Sequence, residues 1–309
     1  MSASTNDDPV SDWLAAATGP RRPACAAGLD ALLGYWESLS CPPFERAVRA
    51  GLASDRLGLA FAGGYRSALL ALTGESSHAA VCITEEGGAH PRAILTTLEI
   101  RGDAAVVRGA KRWSTLAGSA QTLLIAASQG REGDRNALRM VRVPVDADGL
   151  TLRPMPATPF APEIPHFRIE LDDVTVPTSA ILPGDGYTQW IKPFRTVEDI
   201  HVVAAAAAYV VGLARDTRWP AAAIAQGIAV LATLSDLAVR PPLDPAVHLG
   251  LGGALALFDA WLRQHDENFG RADTQVRDRW VRDRGILGVA GRVRSARLAR
   301  AAVQLGLDA

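Results

Sequence analysis

Residues 81–90, which read VCITEEGGAH, hold the densest group of side chains that could take part in chemistry. A short apolar run leads into Thr84, two glutamates, two glycines, Ala89 and His90. Carboxylates beside a histidine can act as a general acid and base. Glycines can instead bring backbone N–H groups close to a phosphate, or simply let the chain turn as it leaves a strand. The stretch alone leaves these three interpretations open.

A second group of ionisable residues, Glu198 and Asp199, precedes the long apolar run Val202–Ala214. A carboxylate that faces an apolar pocket can act as a general base. Acidic residues in the first turn of a helix also complement its dipole, and Thr196 followed three residues later by Asp199 approximates a capping box. We favour the cap and keep the general base as the alternative. His201 is expected to be a packed histidine.

The elements that would position these groups fall into three zones. Residues 1–78 carry apolar residues at helical spacing, residues 79–185 form at least seven short runs with frequent period-two alternation, and residues 186–309 are again helical. In the last zone, helices are predicted near 194–218, 220–239, 244–269 and 272–306. Strands do not alternate with long helices, which argues against a Rossmann domain. The order predicts an α+β chain with a shortened N-terminal helical domain (1–78), a central β-barrel or sandwich (79–185) and a C-terminal helical bundle (186–309).

Composition narrows the class of protein further. A formal net charge of −1 with 21% charged residues gives no overall field that would favour nucleic acid or an anionic membrane. The polar first ten residues lack the pattern of a signal peptide, and the longest apolar run is short of the ~20 residues that span a bilayer. Cys25, Cys41 and Cys82 are odd in number and far apart, so neither a disulfide framework nor a metal site is expected. These features indicate a reduced, cytoplasmic setting.

Three stretches, in the right order, resemble the acyl-CoA dehydrogenase family. CITEEGGAH is similar to the family's Thr-Glu strand exit, GDAAVVRGAKRWSTLAGSAQTLLIAAS to its G-x-K-x-W-I-T-N segment, and IELDDVTVPTSAILPGDGY to its D-V-x-V-P closure. Together they cover roughly residues 79–215. The resemblance implies that FAD lies between a β-domain and a four-helix bundle, and that the protein is a homo-oligomer. The chain would be a short, divergent member.

By position, the resemblance implies that Ile83, Thr84, Trp113 and Thr115 contact the flavin. A threonine hydroxyl can hydrogen-bond ring atoms of the flavin, and an indole supplies flat apolar area. In this alignment the two glycines at 87 and 88 make the turn, and Glu85 and its neighbour at 86 are expected to point into solvent.

The implied activity is the α,β-dehydrogenation of an acyl-CoA or other acyl thioester. A carboxylate takes the α-proton while the flavin takes a hydride from the β-carbon. Members that carry this base on the first bundle helix align with Asp199, beside Glu198, so these two are the candidate catalytic residues.

Other positions depart from the family pattern. His90 stands where the family has a phosphate-binding serine, with Arg92 behind it, and His166 ends a proline-rich loop, MPATPFAPEIPH, that replaces K-x-G-x-R-x-S. We assign His90, Arg92 and His166 as candidate substrate-binding residues. The R-x-x-F-G segment of the bundle and the family's late glutamate are not found.

These departures leave two alternatives to a flavin oxidoreductase. The first is a degenerate, FAD-free member that acts as a structural subunit, in a hetero-oligomer with a fuller homologue. The second is a flavin-independent lyase or isomerase that uses the same cleft, with His90 or His166 as its base.

Overall fold

The computed structural model describes residues 9–19, 28–74 and 78–307. Among these residues, four helices precede the first strand: α1 (Pro9–Thr18), α2 (Leu29–Glu37), α3 (Pro43–Ala53) and α4 (Leu57–Thr73). Helix α3 starts at Pro43, where a missing N–H has no cost because the first turn leaves its N–H groups without helical partners. Trp36 Nε1 donates a hydrogen bond to Ser67 Oγ at 2.8 Å, which ties α2 to α4.

The strands in the described residues are β1 (Ala79–Cys82), β2 (Thr97–Arg101), β3 (Ala104–Thr115), β4 (Thr122–Glu132), β5 (Arg135–Pro144), β6 (Leu150–Pro154) and β7 (His166–Pro177). They form a single mixed sheet in the order β1-β4-β2-β3-β7-β6, with β5 paired to β4. Strand β1 pairs with β4 in parallel, β2 touches β4 in parallel, and the other pairs are antiparallel. The predicted α+β fold is confirmed, and the sheet takes the form of a half-barrel.

Five helices follow the sheet. They are α5 (Lys192–Asp216), α6 (Ala221–Ala238), α7 (Pro245–Gln264), α8 (Thr274–Asp283) and α9 (Gly291–Gln304). The alanine-rich middle of α5 is fully buried, and α3 and α4 approach it closely at two glycines. A Cβ at Gly51 would stand 2.1 Å from the Ala205 carbonyl oxygen, and one at Gly64 would stand 2.7 Å from Val202 Cα. Small residues therefore set the spacing of this core.

The prediction of one continuous helix over 272–306 is wrong. A 3-10 segment, Arg284–Gly288, separates α8 from α9. Three glycines, at 285, 288 and 291, fall at this break, and glycine weakens a helix interior by about 1 kcal/mol. The break leaves α9 as a separate helix that packs along α7.

The chain divides into two compact units. Of the described residues, those up to Ala71, the loop Pro159–Glu163 and those from Thr196 onward make up the helical unit, and those within 72–158 and 164–195 make up the sheet unit. The helices before and after the sheet thus share one unit, whereas the sequence analysis treated them as separate domains.

By length and composition alone, three helical segments could cross a membrane: Gly186–Asp216, Ala221–Ala238 and Pro245–Gln264. The apolar window of the first is 89% buried within the molecule, as expected of a central core helix, while the windows of the other two are 33% and 28% buried.

Candidate functional site

The exit of strand β1 positions the first candidate residues. Ile83 is buried, Thr84 is partly buried, and the Thr84 carbonyl accepts a hydrogen bond from Arg112 N at 2.8 Å. A tight turn follows, in which Glu85 and Gly88 exchange backbone hydrogen bonds of 3.1 and 3.0 Å. Gly88 has a φ of 99°, a conformation that favours glycine. Within the described residues the Thr84 hydroxyl makes no hydrogen bond.

The expectation that Glu85 points into solvent is wrong. Its side chain is 6% exposed and accepts hydrogen bonds from Lys111 Nζ at 2.6 Å and from the N–H groups of Leu95 and Thr96 at 2.7 and 3.0 Å. Lys111 Nζ also donates to the Ala126 carbonyl. Strand alternation places Lys111 on the buried side of β3, where its ammonium needs a partner.

The two charges of this buried pair support each other. Burial raises the pKa of the Glu85 carboxyl, but the Lys111 charge and the donated hydrogen bonds outweigh burial and leave that pKa below its ordinary value. Burial lowers the pKa of Lys111, while the neighbouring carboxylate opposes that change. The lowered pKa of Glu85 decides the protonation state of the pair, because three donors point at its carboxylate. The pair is therefore ionised and anchors the turn after Thr84.

A β-bulge in β3 turns Trp113 outward. The pairing of β3 with β7 shifts register between Lys111 and Ser114. Trp113 and Leu116 have positive φ angles of 56° and 57°, a conformation that costs a residue other than glycine about 1–3 kcal/mol. The Trp113 side chain remains 44% exposed, while its backbone N–H donates to Met155 Sδ at 3.3 Å. Strain and a bulge at one exposed aromatic residue are features of a functional site.

Strand pairing brings His166 and Thr115 to the same place. Thr115 Oγ1 lies 3.2 Å from His166 Nδ1, and the His166 ring meets the Trp113 ring edge-on with centroids 5.6 Å apart. Burial lowers the pKa of His166, so the ring is neutral at pH 7. On the other side, the Arg112 guanidinium stands 5.9 Å from the Trp113 ring and pairs with Glu86, which is exposed as predicted. Three residues that the sequence assigned to two separate roles thus form one surface.

His90 and Arg92, the residues predicted near the phosphate groups, form a hydrogen bond with each other. His90 Nδ1 accepts a hydrogen bond from Arg92 N at 3.2 Å and so caps the 3-10 turn Pro91–Ala93. Both side chains are exposed. Arg195, which the sequence analysis did not single out, donates from Nη2 to the Ala89 carbonyl at 3.0 Å. The end of the VCITEEGGAH stretch therefore carries positive charge but no hydroxyl group.

The capping-box prediction for Thr196 and Asp199 is wrong, because α5 begins before both residues. A π-helical turn, Gly186–Ile191, leads directly into Lys192 and the rest of the helix. The side chain of Asp185 accepts a hydrogen bond from Thr188 N at 2.7 Å and so caps the π-helical turn upstream. Thr196 and Asp199 lie inside the helix, where no free N–H groups need a cap.

Asp199 is buried and bound by two arginines of α9. Its Oδ1 accepts a hydrogen bond from Arg294 Nε at 2.8 Å and lies 2.7 Å from Arg294 Nη2, and its Oδ2 accepts a hydrogen bond from Arg297 Nη2. Arg297 Nη1 also reaches Thr196 Oγ1 at 3.4 Å. Since both carboxylate oxygens are already held by guanidinium groups, Asp199 is unsuited to accept a proton from a substrate.

Glu198 and His201 lie close to Asp199 in α5. Glu198 is partly buried. His201 is 2% exposed, its Nδ1 donates to the Val197 carbonyl at 2.8 Å, and its ring packs edge-on against Phe44 with centroids 6.2 Å apart. Burial lowers the pKa of His201 to about 4, so it is a neutral core residue, as expected.

Some of the residues that shape the site had a sequence signal and others had none. Lys111 occupies the lysine of the G-x-K-x-W pattern and could have been assigned from it. Met155, Arg294 and Arg297 are far in sequence from their partners and had no such signal. Among the described residues, no group of three or more His, Cys, Asp or Glu side chains could hold a metal ion. Cys25 lies outside the described residues.

Comparisons with known proteins agree on the fold. Residues 80–174 match the family model of the acyl-CoA dehydrogenase middle domain. A comparison with curated protein sequences finds no match. The resemblance stated from the sequence is confirmed, and the chain has the acyl-CoA dehydrogenase fold.

Solved structures give the same result over the whole chain. An FAD-dependent dehydrogenase superposes with a TM-score of 0.70 and 15% identity, covering 100% of each chain. Butyryl-CoA dehydrogenase from Megasphaera elsdenii superposes with a TM-score of 0.72 and 12% identity over 98% of this chain and 100% of its own. The prolyl acyl carrier protein oxidase AnaB gives 0.65 and 16% over 86% of this chain and 85% of its own. At these identities the likeness is one of fold.

Proposed function

We propose that this protein is an acyl-CoA dehydrogenase-like flavin oxidoreductase that removes two hydrogens from the α,β bond of an acyl thioester. The observation that carries the proposal is the surface formed by Trp113, Thr115 and His166, next to the Thr84 strand exit. Its aromatic side chain is 44% exposed at a bulge with a positive φ angle, a conformation that costs free energy in a residue other than glycine.

The residues of this surface fit the ring system of FAD. Trp113 would lie against the flat rings, and the Thr84 hydroxyl, which has no partner among the described residues, would hydrogen-bond a ring heteroatom. The neutral His166 ring holds Thr115 Oγ1, which fixes the orientation of that hydroxyl. When bound, the flavin supplies the acceptor for the substrate's hydride.

The phosphate side of the cofactor would meet charge in place of a hydroxyl group. His90 and Arg92 are exposed, and Arg195 holds the backbone at Ala89. Guanidinium groups bind phosphate through charge-assisted hydrogen bonds, so Arg92 can take the role of the family's serine.

Glu198 is the base that we assign. The proposed step moves the α-proton of the thioester to the Glu198 carboxylate. Asp199 stays ionised between Arg294 and Arg297 and acts through the position of α5, as a structural neighbour of the base. We further propose a cytoplasmic homo-oligomer that acts on an acyl-CoA or another acyl thioester.

A visible spectrum of the purified protein, before and after FAD is added, tests the cofactor. We expect flavin absorbance, and thermal stabilisation equivalent to about 2.7 kcal/mol when free FAD is at a hundred times its Kd. If the protein shows no flavin absorbance and no thermal shift with FAD, the proposal that it binds flavin is refuted.

If flavin is bound, bleaching of its absorbance by an acyl-CoA tests the base. Glu198→Gln should abolish bleaching while FAD remains bound. Glu267→Gln, at an exposed carboxylate elsewhere on the helical unit, is the matched control and should bleach as the unmodified protein does. Full bleaching by Glu198→Gln would refute the assignment.

A second function is favoured by one observation, the double pairing of Asp199 with Arg294 and Arg297. A chain whose aligned base position is locked in this way could serve as an FAD-free subunit that partners a complete homologue. The spectrum separates the two functions, because only the first requires bound flavin.

A further inference from the structure

A groove of about 870 Å³ runs along the helical unit between α7 and α9, and the 3-10 segment Arg284–Gly288 lies at its edge. Its volume is within the range of roughly 300–1,000 Å³ that small-molecule sites occupy. Its walls are largely apolar and include Leu251, Leu255, Phe258, Leu287 and Leu298. Water in such a groove gains little from the protein, so an apolar ligand that displaces it is favoured.

The groove also contains buried positive charge in excess. Arg294 and Arg297 line it, their side chains are 16% and 10% exposed, and they share the single carboxylate of Asp199. Two guanidinium groups and one carboxylate leave one positive charge uncompensated. Arg297 Nε donates to no atom of the described residues, so one directed donor is also unused.

The other charged groups that line the groove do not supply the missing negative charge. Arg263 pairs with Asp259, and Arg284 pairs with Asp266 at 2.9 Å, each one to one. His248, the remaining ionisable lining residue, contacts the Pro242 carbonyl through Nε2 at 2.9 Å. The excess charge therefore stays at Arg294 and Arg297.

A buried charge without a counter-ion is unfavourable, and an anion that reaches it gains charge-assisted hydrogen bonds. The apolar walls require that this anion carry an apolar body. We propose that the groove binds an amphipathic monocarboxylate, a fatty acid, with its carboxylate at Arg297 and its alkyl chain along α7 and α9. This site is separate from the proposed flavin contacts and base, since none of the residues that line the groove is assigned to the cofactor or to proton transfer.

Calorimetric titration with dodecanoate, below its micelle concentration, tests the site. Methyl dodecanoate is the uncharged probe of the same length. We expect dodecanoate to bind with a stoichiometry of one and at least about tenfold tighter than the methyl ester, because charge-assisted hydrogen bonds are roughly twice as strong as neutral ones.

Two variants distinguish the contribution of the ligand's carboxylate from that of its alkyl chain. Arg297→Gln leaves Asp199 paired with Arg294 and removes the excess charge, so it should weaken dodecanoate about tenfold or more and leave the methyl ester unchanged. Ala256→Phe, at an exposed position of α7 that lines the groove, should weaken both probes. Arg240→Gln, in an exposed pair with Asp236 at 2.8 Å outside the groove, is the matched control and should change neither.

Absence of binding at a stoichiometry of one would overturn the proposal, as would equal dodecanoate affinity in Arg297→Gln and the unmodified protein. Dodecanoate binding that survives Ala256→Phe would place the ligand elsewhere and would overturn it too. Because Ala256→Phe alters only an exposed position, it tests the groove even if Arg297→Gln does not fold. A flavin-free protein that still binds dodecanoate would separate this site from the proposed oxidoreductase function.

Discussion

Two polar regions of the molecule differ in how completely their groups are satisfied. At the Trp113–His166 surface of the sheet unit, an indole is exposed, a backbone residue is strained, and the nearby Thr84 hydroxyl makes no hydrogen bond in the described residues. At Asp199 in the helical unit, both carboxylate oxygens are bound by arginines. An enzyme needs groups that the fold itself does not use, so the first region can meet a substrate or cofactor, whereas Asp199 mainly holds helices together.

The largest expected effect is at Asp199, where both carboxylate oxygens are bound by arginines. Asp199→Asn removes the single carboxylate that holds Arg294 and Arg297, and breaking a buried ion pair by removing one partner costs about 3–5 kcal/mol. Urea denaturation should show a loss of that size in the free energy of unfolding. Asp259→Asn, whose partner Arg263 is 69% exposed, is the matched control and should change stability by less than about 1 kcal/mol. A small effect at Asp199 would mean that the cluster is not a structural anchor.

The second effect concerns His201, the buried histidine two residues after Asp199 in α5. Burial lowers the pKa of His201 to about 4, below the value near 6.5 of an unfolded chain. The stability that neutral His201 contributes is fully present above pH 6.5 and is lost as the pH falls towards 4, by about 3 kcal/mol over that window. His201→Leu cannot bind the proton, so its free energy of unfolding should fall less between pH 7 and pH 4.5. Equal pH dependence in both proteins would show that His201 is not buried in the neutral form.

The difference between the regions also explains which features were readable from sequence. The strand exit at Thr84 and the exposed Trp113 lie in short motifs whose spacing is fixed by one turn and one strand. Arg297 lies 98 positions from Asp199 and is one of nine arginines in the last 39 residues, so no local pattern selects it. The same limit applies to Glu85, whose partner Lys111 lies 26 positions away on another strand. Register between distant elements decides such pairs.

At the Trp113–His166 surface, Trp113→Gly should weaken FAD binding more than it changes the free energy of unfolding. Glycine adopts a positive φ without strain, and this gain of about 1–3 kcal/mol offsets much of the lost burial of a side chain that is already 44% exposed. We expect the free energy of unfolding to change by less than about 2 kcal/mol. Loss of the aromatic surface should weaken FAD binding about 10- to 100-fold, by analogy with aromatic stacking of bases at about 1–3 kcal/mol each.

Titration of flavin fluorescence measures that loss, and Trp113→Phe is the control, because it keeps a ring at the same position. Recovery of most of the affinity by phenylalanine would support a stacking role. If Trp113→Gly instead unfolded the protein while FAD affinity per folded molecule stayed constant, Trp113 would belong with Asp199 among the structural residues.

The smallest expected effect tests the hydrogen bond between Thr115 and His166 in the Trp113–His166 surface. Thr115→Val keeps the shape of the side chain and removes the hydroxyl that lies 3.2 Å from His166 Nδ1. A single neutral hydrogen bond contributes about 0.5–1.5 kcal/mol to stability. Burial already lowers the pKa of His166, and removing its one polar neighbour at Nδ1 should lower it further, since less remains to stabilise a charged ring. Nuclear magnetic resonance titration of the His166 ring measures that change, with Thr175→Val, at an exposed threonine of β7, as the matched control. An unchanged pKa of His166 would show that Thr115 and His166 are neighbours that form no hydrogen bond. Only Trp113 and Thr84 would then remain as the residues of this surface assigned to the flavin.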